Sequence, residues 1–179
     1  MKSLSKIVLA LYLLFLLWLV LFKFSLNLSS VLDHQTRSLN LIPFAASSSL
    51  REIIYNFVVF IPFGLFLSVN LKRATFWQRL ALVCIFSLAV EITQFVFAIG
   101  ATDITDVITN TLGGYLGLLL YDLSNKYVNN EKLDRFIAVA GTLLLIVFIL
   151  LLGVLLSHGV RYHSPPSKAR QALTRYFEF

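Results

Sequence analysis

Five long apolar runs, separated by short polar joints, set the pattern of this chain. They cover residues 7–22, 53–71, 80–99, 104–121 and 136–156. A helix of roughly 20 apolar residues crosses the hydrocarbon core of a bilayer, and these runs approach or reach that length. The pattern predicts an all-α fold, a polytopic bundle of five transmembrane helices. No joint is long enough for a separate soluble module, so we expect a single integral membrane domain over residues 1–179.

Composition agrees with lipid as the main solvent. Of the 179 residues, 58% are hydrophobic and 13% are charged, and the mean hydropathy is +0.83, whereas soluble domains carry about 25% charged residues. The net charge of +6 comes from Lys and Arg residues that lie mostly at the ends of the apolar runs. We therefore expect membrane lipids as partners, and no nucleic acid.

Cysteine and histidine suggest no metal chemistry. Cys84 is the single cysteine, which excludes an intrachain disulfide and a cysteine-based metal site. His34, His158 and His163 do not have the spacing of metal ligands. We assign no metal-binding residues, and the sequence names no cofactor.

Two segments fall outside the regular pattern. The joint over residues 24–51 contains apolar residues near its middle, which favours a segment that lies at the membrane interface or re-enters it after the first span. The basic tail, residues 157–179, breaks at Pro165-Pro166. Beyond that point it forms either a short amphipathic helix or a disordered end.

The distribution of charge predicts the orientation. Under the positive-inside rule, loops rich in Lys and Arg face the cytoplasm. The residues that share one side are Lys2, Lys6, Lys72, Arg73, Arg79, Lys126, Lys132 and Arg135. This pattern predicts a cytoplasmic N-terminus. The tail is the exception, because its Lys and Arg residues would lie outside.

A polar stretch interrupts the apolar pattern between residues 91 and 117. Glu91 and Gln94 are three residues apart and share one face of the third helix. Along the fourth helix, polar and small residues follow at steps of three or four: Asp103, Asp106, Asn110, Gly113 and Gly117. With Asn56 of the second helix, the polar residues of this set, from Glu91 to Asn110, would all occupy the outer leaflet.

Glu91 is the residue that a structural role explains least well. It lies eight residues before the end of its run, about 12 Å below that end, with no Lys or Arg beside it in any span. Such an acid must be protonated, hydrogen-bonded to partners such as Asn56 or Asn110, in a wet cavity, or bound to a cation. We name Glu91, Asp106 and Asp103 as candidate catalytic residues.

Structural alternatives stay open for the other polar residues. Asp103 and Asp106 fit the cap and first turn of a helix, and Gly113 and Gly117 fit a close-packing face. Asn56, Gln94 and Asn110 are candidate binding residues, although Asn56 and Gln94 could equally hold helices together.

These residues resemble the VanZ-like family of bacterial membrane proteins. The resemblance covers residues 40–121 and rests on four blocks in order: Asn40-Leu41-Ile42-Pro43-Phe44; Asn56 with Phe60-x-Pro62-Phe63-Gly64; Glu91-x-x-Gln94; and Asp103-x-x-Asp106-x-x-x-Asn110-Thr111-x-Gly113-x-x-x-Gly117. The chain departs from the pattern just before Asp103, where many members have an Arg and this chain has Gly100-Ala101-Thr102.

The resemblance implies a multi-pass protein of the bacterial cytoplasmic membrane. The family's namesake is associated with lowered susceptibility to teicoplanin, a glycopeptide that acts outside the membrane. A glycopeptide or a lipid-linked ligand at the outer face is therefore an expected partner, but the resemblance supplies no reaction. Three hypotheses follow: an envelope factor that protects against lipoglycopeptides, a membrane-embedded enzyme that acts on a lipid or lipid-linked headgroup, and a packing scaffold. In the enzyme, the three carboxylates would act as acid and base or hold a divalent cation.

Overall fold

The described residues form five helices and one short pair of strands. The computed structural model describes residues 2–21, 38–44, 49–98 and 101–162. The helices are α1 (Lys2–Leu21), α2 (Leu50–Asn70), α3 (Phe76–Phe97), α4 (Ile104–Ser124) and α5 (Asn130–Tyr162). The strands are β1 (Ser38–Asn40) and β2 (Ala101–Asp103). Each predicted run forms a helix, which confirms the prediction of a polytopic helical bundle.

Among the described elements, the strand pair is the one that the apolar pattern did not predict. β1 pairs with β2 in parallel, and Asn40 lies opposite Asp103. The pairing joins the segment before α2 to the residues that lead into α4. The predicted interfacial or re-entrant segment falls partly outside the described residues, as does most of the basic tail. Of the joint over 24–51, the structure describes only 38–44 and 49–51.

Helices α2 and α3 begin earlier than predicted because each has a capping box. Ser49 caps α2: its Oγ accepts the Glu52 N–H, and the Glu52 carboxylate accepts the Ser49 N–H. Thr75 and Gln78 form the same arrangement at the start of α3. A capping box satisfies two of the backbone donors that a helix start leaves unpaired. The first turns are therefore helical although they are more polar than the predicted runs.

Helix α4 packs against both α2 and α3 through its glycines. A Cβ atom at Gly113 or Gly117 would lie 2.0 or 2.1 Å from the carbonyl oxygens of Phe57 and Ile61 in α2. A Cβ at Gly114 would lie 2.4 Å from a side-chain atom of α3. These distances are far below van der Waals contact, so only glycine allows the helices to approach this closely. The predicted close-packing face is confirmed.

The helices alternate in direction and give the bundle two distinct ends. We call one the polar end; there the last turns of α1 and α3 meet the first turns of α2 and α4. Gln94 of α3 donates to the carbonyl of Val20 in α1 at this end. We call the other the basic end; there the starts of α1, α3 and α5 meet the last turns of α2 and α4. Ser5 of α1 donates to the side chain of Asn70 in α2 at 3.0 Å.

Ion pairs hold the basic end. The Arg79 guanidinium of α3 binds both carboxylate oxygens of Asp122 in α4, the closer at 2.9 Å, and donates to Ser68 Oγ at 2.8 Å. Lys72, in the loop after α2, pairs with Asp134 of α5 at 2.7 Å. A charged contact thus fixes each end of the α2–α3 loop.

Four of the described helices are long and apolar enough to cross a membrane. Their candidate spans are Leu4–Leu21, Leu50–Asn70, Phe76–Phe97 and Asn130–Leu151. Helix α4 is the fifth predicted span and is 21 residues long, but it is not among the four because its packed face is polar. Its buried polar residues include Thr105, Asp106, Thr109 and Asn110.

The chain divides into two compact units, and the boundary lies within α5. The first unit ends at Thr142 and the second begins at Leu143. In the second unit the described side chains of α5 are largely exposed and apolar, as for Val147 and Leu150, each 64% exposed. Such a surface is typical of a helix in lipid.

Candidate functional site

Glu91 is buried at the polar end and is bound to the start of α4. Its residue exposure is 2%. Oε2 accepts the backbone N–H of Asp103 at 3.0 Å, and the Thr102 hydroxyl donates to the Glu91 carbonyl at 3.3 Å. The acid at the start of the polar stretch therefore satisfies a backbone donor that the first turn of α4 could not satisfy itself.

Asp103 is the N-cap of α4, as the structural interpretation predicted. Oδ1 accepts the Thr105 N–H at 2.8 Å. Oδ2 accepts a hydrogen bond from Asn40 Nδ2 at 3.0 Å. Both carboxylate oxygens thus have a structural role, because one caps the helix and the other fastens β1 to it.

The segment after β1 folds over the start of α4. The Asn40 Oδ1 atom accepts the Ile42 N–H at 3.1 Å, which forms a local turn. The Phe44 N–H donates to Thr105 Oγ1 at 3.0 Å. The first resemblance block, residues 40–44, is therefore a cover for the polar end, a role that its sequence alone did not indicate.

Asp106 and Asn56 meet at a cavity of about 350 Å³. Asp106 lies in the first turn of α4, where the helix dipole favours a carboxylate. Asn56 lies in the second turn of α2. Asp106 is 5% exposed, and Asn56 is 9% exposed. The apolar part of the wall comes from Leu19 and Val20 of α1. In this cavity a predicted catalytic residue and a predicted binding residue line the same space.

Four polar residues that line this cavity were not predicted as site residues. They are Ser49, the N-cap of α2, and Arg51, Glu52 and Tyr55 in its first turns. Arg51 brings a guanidinium to the cavity that contains Asp106. The Ser49-x-x-Glu52 capping box was the available signal, because it places residue 51 inside α2.

Gln94 and Asn110 are fully buried and connect helices. Gln94 Nε2 donates to the Val20 carbonyl at 3.1 Å, and Asn110 Nδ2 donates to Ser87 Oγ at 2.9 Å. Because Val20 lines the cavity, Gln94 fixes one of its walls. Neither Gln94 Oε1 nor Asn110 Oδ1 has a hydrogen-bond partner within the described part of the chain.

The candidate residues thus form two adjoining groups. Asn56 and Asp106 line the cavity, whereas Glu91 and Asp103 form a hydrogen-bonded pair between α3 and α4. Among the described residues, Glu91 and Asn110 are not part of the cavity wall. No group of three His, Cys, Asp or Glu residues within that part of the chain is placed to hold a metal ion. The arrangement can bind a polar group between Arg51 and Asp106, and Asp106 can exchange a proton with it.

Comparison with known proteins agrees with the motif blocks. The VanZ/LLP1 family model matches residues 9–125. A relative from Enterococcus faecium called Protein VanZ is 57% identical over 148 residues, which is 83% of this chain and 92% of that protein. No solved structure matches the chain. The family match includes most of α1, whose Val20 helps to line the cavity.

Proposed function

The chain belongs to the VanZ/LLP1 family, and on that premise we propose that it is a factor of the bacterial cell envelope that lowers susceptibility to teicoplanin and related lipoglycopeptides. It does so from the bacterial cytoplasmic membrane, through the polar end, which faces outward. The association of the family's namesake with teicoplanin gives the drug class. The cavity between Asn56 and Asp106 is the place of action that we propose.

The charge of the two ends supports this orientation. Within the first unit, eight described Lys and Arg residues lie at the basic end: Lys2, Lys6, Lys72, Arg73, Arg79, Lys126, Lys132 and Arg135. At the polar end, Arg51 is the one basic residue in the part of this unit that the structure describes. Under the positive-inside rule the basic end, and with it the N-terminus, faces the cytoplasm.

The single observation that carries the proposal is the cavity between Asn56 and Asp106. Its volume of about 350 Å³ is at the lower limit of small-molecule sites. A cavity of this size holds a headgroup or one residue of a larger ligand, and a whole glycopeptide does not fit inside it. Arg51 suits a carboxylate or phosphate, and Asp106 suits an amine or hydroxyl. We therefore propose a lipid-linked headgroup, or one polar group of a glycopeptide, as the bound moiety.

A second function, a membrane-embedded enzyme acting on a lipid-linked headgroup, rests on Asp106. This carboxylate is buried and lies on a cavity wall, which is the position that a general acid or base requires. The carboxylates of Asp103 and Glu91 accept backbone hydrogen bonds. In such an enzyme they position the start of α4, and Asp106 transfers the proton.

Susceptibility testing together with lipid analysis separates these functions. The gene is expressed in a susceptible host, and the inhibitory concentration of teicoplanin is measured beside the profile of lipids and cell-wall precursors. Raised tolerance with an unchanged profile supports the binding factor, and an altered lipid species supports the enzyme. Asp106→Asn and Arg51→Gln should abolish either effect at normal membrane abundance. Lys126→Gln is the control, since it removes a charge from an exposed loop at the basic end.

If neither measurement changes on expression of the wild type, both proposed functions are wrong. If Asp106→Asn and Arg51→Gln keep the full effect, the cavity is not the working site. In that case the polar residues serve only to hold the helices together.

A further inference from the structure

A larger groove, with a volume of about 1110 Å³, lies at the basic end. It is bounded by the start of α1, the last turn of α2 with the loop that follows, and the first turns of α5. The apolar part of its wall includes Val69 of α2 and Ala138 and Val139 of α5. The groove is separate from the cavity at the polar end and shares no lining residue with it.

The groove carries an excess of positive charge. Four basic and two acidic residues line it: Lys6, Lys72, Arg73, Arg135, Glu131 and Asp134. Lys72 is already neutralised by Asp134, which also accepts the Tyr121 hydroxyl at 2.8 Å. Among the described residues, Lys6, Arg73 and Arg135 form no ion pair. Three exposed cations therefore face the groove, with Glu131 as the remaining acid.

The groove lies where the membrane spans begin. The candidate span of α1 starts at Leu4, and that of α5 starts at Asn130. Val139 lies nine residues into the α5 span, about 14 Å along the helix axis. The charged rim is thus at headgroup level, and the apolar wall continues into the hydrocarbon.

We infer that the groove binds one anionic phospholipid. Its phosphate lies between Lys6, Arg73 and Arg135, and an acyl chain follows the wall formed by Val69, Ala138 and Val139. Basic pockets between spanning helices are suited to anionic headgroups, because each cation near the membrane surface adds electrostatic attraction to the headgroup. The acyl chains of the bound lipid stay in the hydrocarbon of the membrane. Arginine adds paired hydrogen bonds to phosphate oxygens. A zwitterionic lipid would bring its own cation into a site that already has an excess of positive charge.

Lipid binding by the full-length protein tests this inference. The purified protein, delipidated in a neutral detergent, is titrated with phosphatidylglycerol and with phosphatidylcholine of the same chains, and bound lipid is counted by native mass spectrometry. We expect phosphatidylglycerol to bind at least tenfold more tightly. Arg73→Gln and Arg135→Gln should each lower that affinity about fivefold. Lys126→Gln removes one charge outside the groove at the same end and should change it less than twofold.

Equal affinity for the two lipids would overturn the inference, as would an equal loss in Lys126→Gln and the groove variants. Inorganic phosphate and glycerol phosphate are added as competitors. If either displaces the lipid at an equal concentration, the ligand is a free phosphate and the lipid assignment is wrong. Raising the salt concentration on the wild type from 50 to about 500 mM should reduce the preference for phosphatidylglycerol. A preference that salt does not change would also contradict an electrostatic site.

Discussion

The carboxylate of Glu91 in α3 accepts the backbone N–H of Asp103, the residue that caps α4, at 3.0 Å. This bond gives Glu91 a role that an amide can perform as well as an acid. Two substitutions therefore separate structure from chemistry at this position.

Glu91→Leu should destabilise the protein, whereas Glu91→Gln should not. Leucine leaves the Asp103 N–H buried without an acceptor, which costs about 1–3 kcal/mol, while glutamine keeps a side-chain oxygen there. The midpoint of thermal unfolding in detergent measures the difference. A glutamine variant as unstable as the leucine variant would show that the negative charge of Glu91 itself supports the fold.

Asp106→Asn should leave the stability of the protein normal but abolish its function. Asparagine keeps the size of the side chain at the cavity wall but cannot give up a proton or pair with a cationic group. If Asp106 acts on the bound moiety, protection should fall at least tenfold, about 1.4 kcal/mol of lost stabilisation. The inhibitory concentration of teicoplanin is compared at equal membrane abundance, determined by immunoblot. Asp103→Asn is the matched variant and should be milder, since asparagine caps a helix about as well as aspartate.

Gly113→Ala should lower stability much more than Gly153→Ala. A Cβ at Gly113 meets the Phe57 carbonyl oxygen at 2.0 Å, whereas a Cβ at Gly153 has nothing within 4 Å. Overpacking of this kind costs about 1–3 kcal/mol, and the open helical site should gain slightly from alanine. Detergent melts and the amount of folded protein in membranes report both effects. A loss at Gly113 no larger than that at Gly153 would contradict the steric role of the close approach of α2.

Arg79→Gln should destabilise the basic end by about 2 kcal/mol. Breaking a fully buried ion pair costs about 3–5 kcal/mol, but the Asp122 side chain is 37% exposed, so water compensates part of the loss. Lys126→Gln, at an exposed position in the loop after α4, is the stability control and should leave the melting midpoint unchanged. An equal shift in both variants would contradict a specific role for the Arg79–Asp122 pair.

Thiol labelling tests the orientation. In a Cys84→Ser background, a single cysteine replaces Leu41, which is 66% exposed at the polar end, or Lys126, which is exposed at the basic end. A membrane-impermeant reagent added to intact cells should label position 41 and not position 126. Labelling of position 126 alone would invert the protein in the membrane and place the cavity on the cytoplasmic side.

The apolar pattern predicted the helices well and their partners poorly. Spacing along α4 was enough to group Asp106 with Asn110 and the glycines, because side chains three or four apart share a face on any helix. It could not show that Gln94 would contact α1, since the spacing shows which residues share a helix face but not which helix packs against that face. The β1–β2 pair could not be predicted for a related reason. Each strand has three residues, and the two strands are about sixty residues apart in sequence, so the pairing leaves no periodic signal.

The helix boundaries and the cavity at the polar end could be predicted from the sequence only in part. Both capping boxes are visible in the sequence, but the prediction followed hydropathy and began α2 and α3 within their apolar parts. That choice excluded Arg51 from α2 and so from the candidate site. Asn56 and Asp106 were each identified as candidates, but their meeting at one cavity depends on the close approach of α2 and α4, which is a property of the packed bundle.

The central position of α4 also sets an order of events during synthesis. Chains enter the membrane from the N-terminus onward, so α2 and α3 are in place before the helix that they hold between them. Until α4 arrives, Glu91 lacks the Asp103 amide and Arg79 lacks the Asp122 carboxylate. Helix α4, which falls short of the apolarity of the other four, thus enters the membrane after the two helices that it packs against most closely. In a chain interrupted before residue 103, the faces of α2 and α3 that pack against α4 would be exposed to lipid. We expect the quality control of the membrane to recognise such a chain as incomplete.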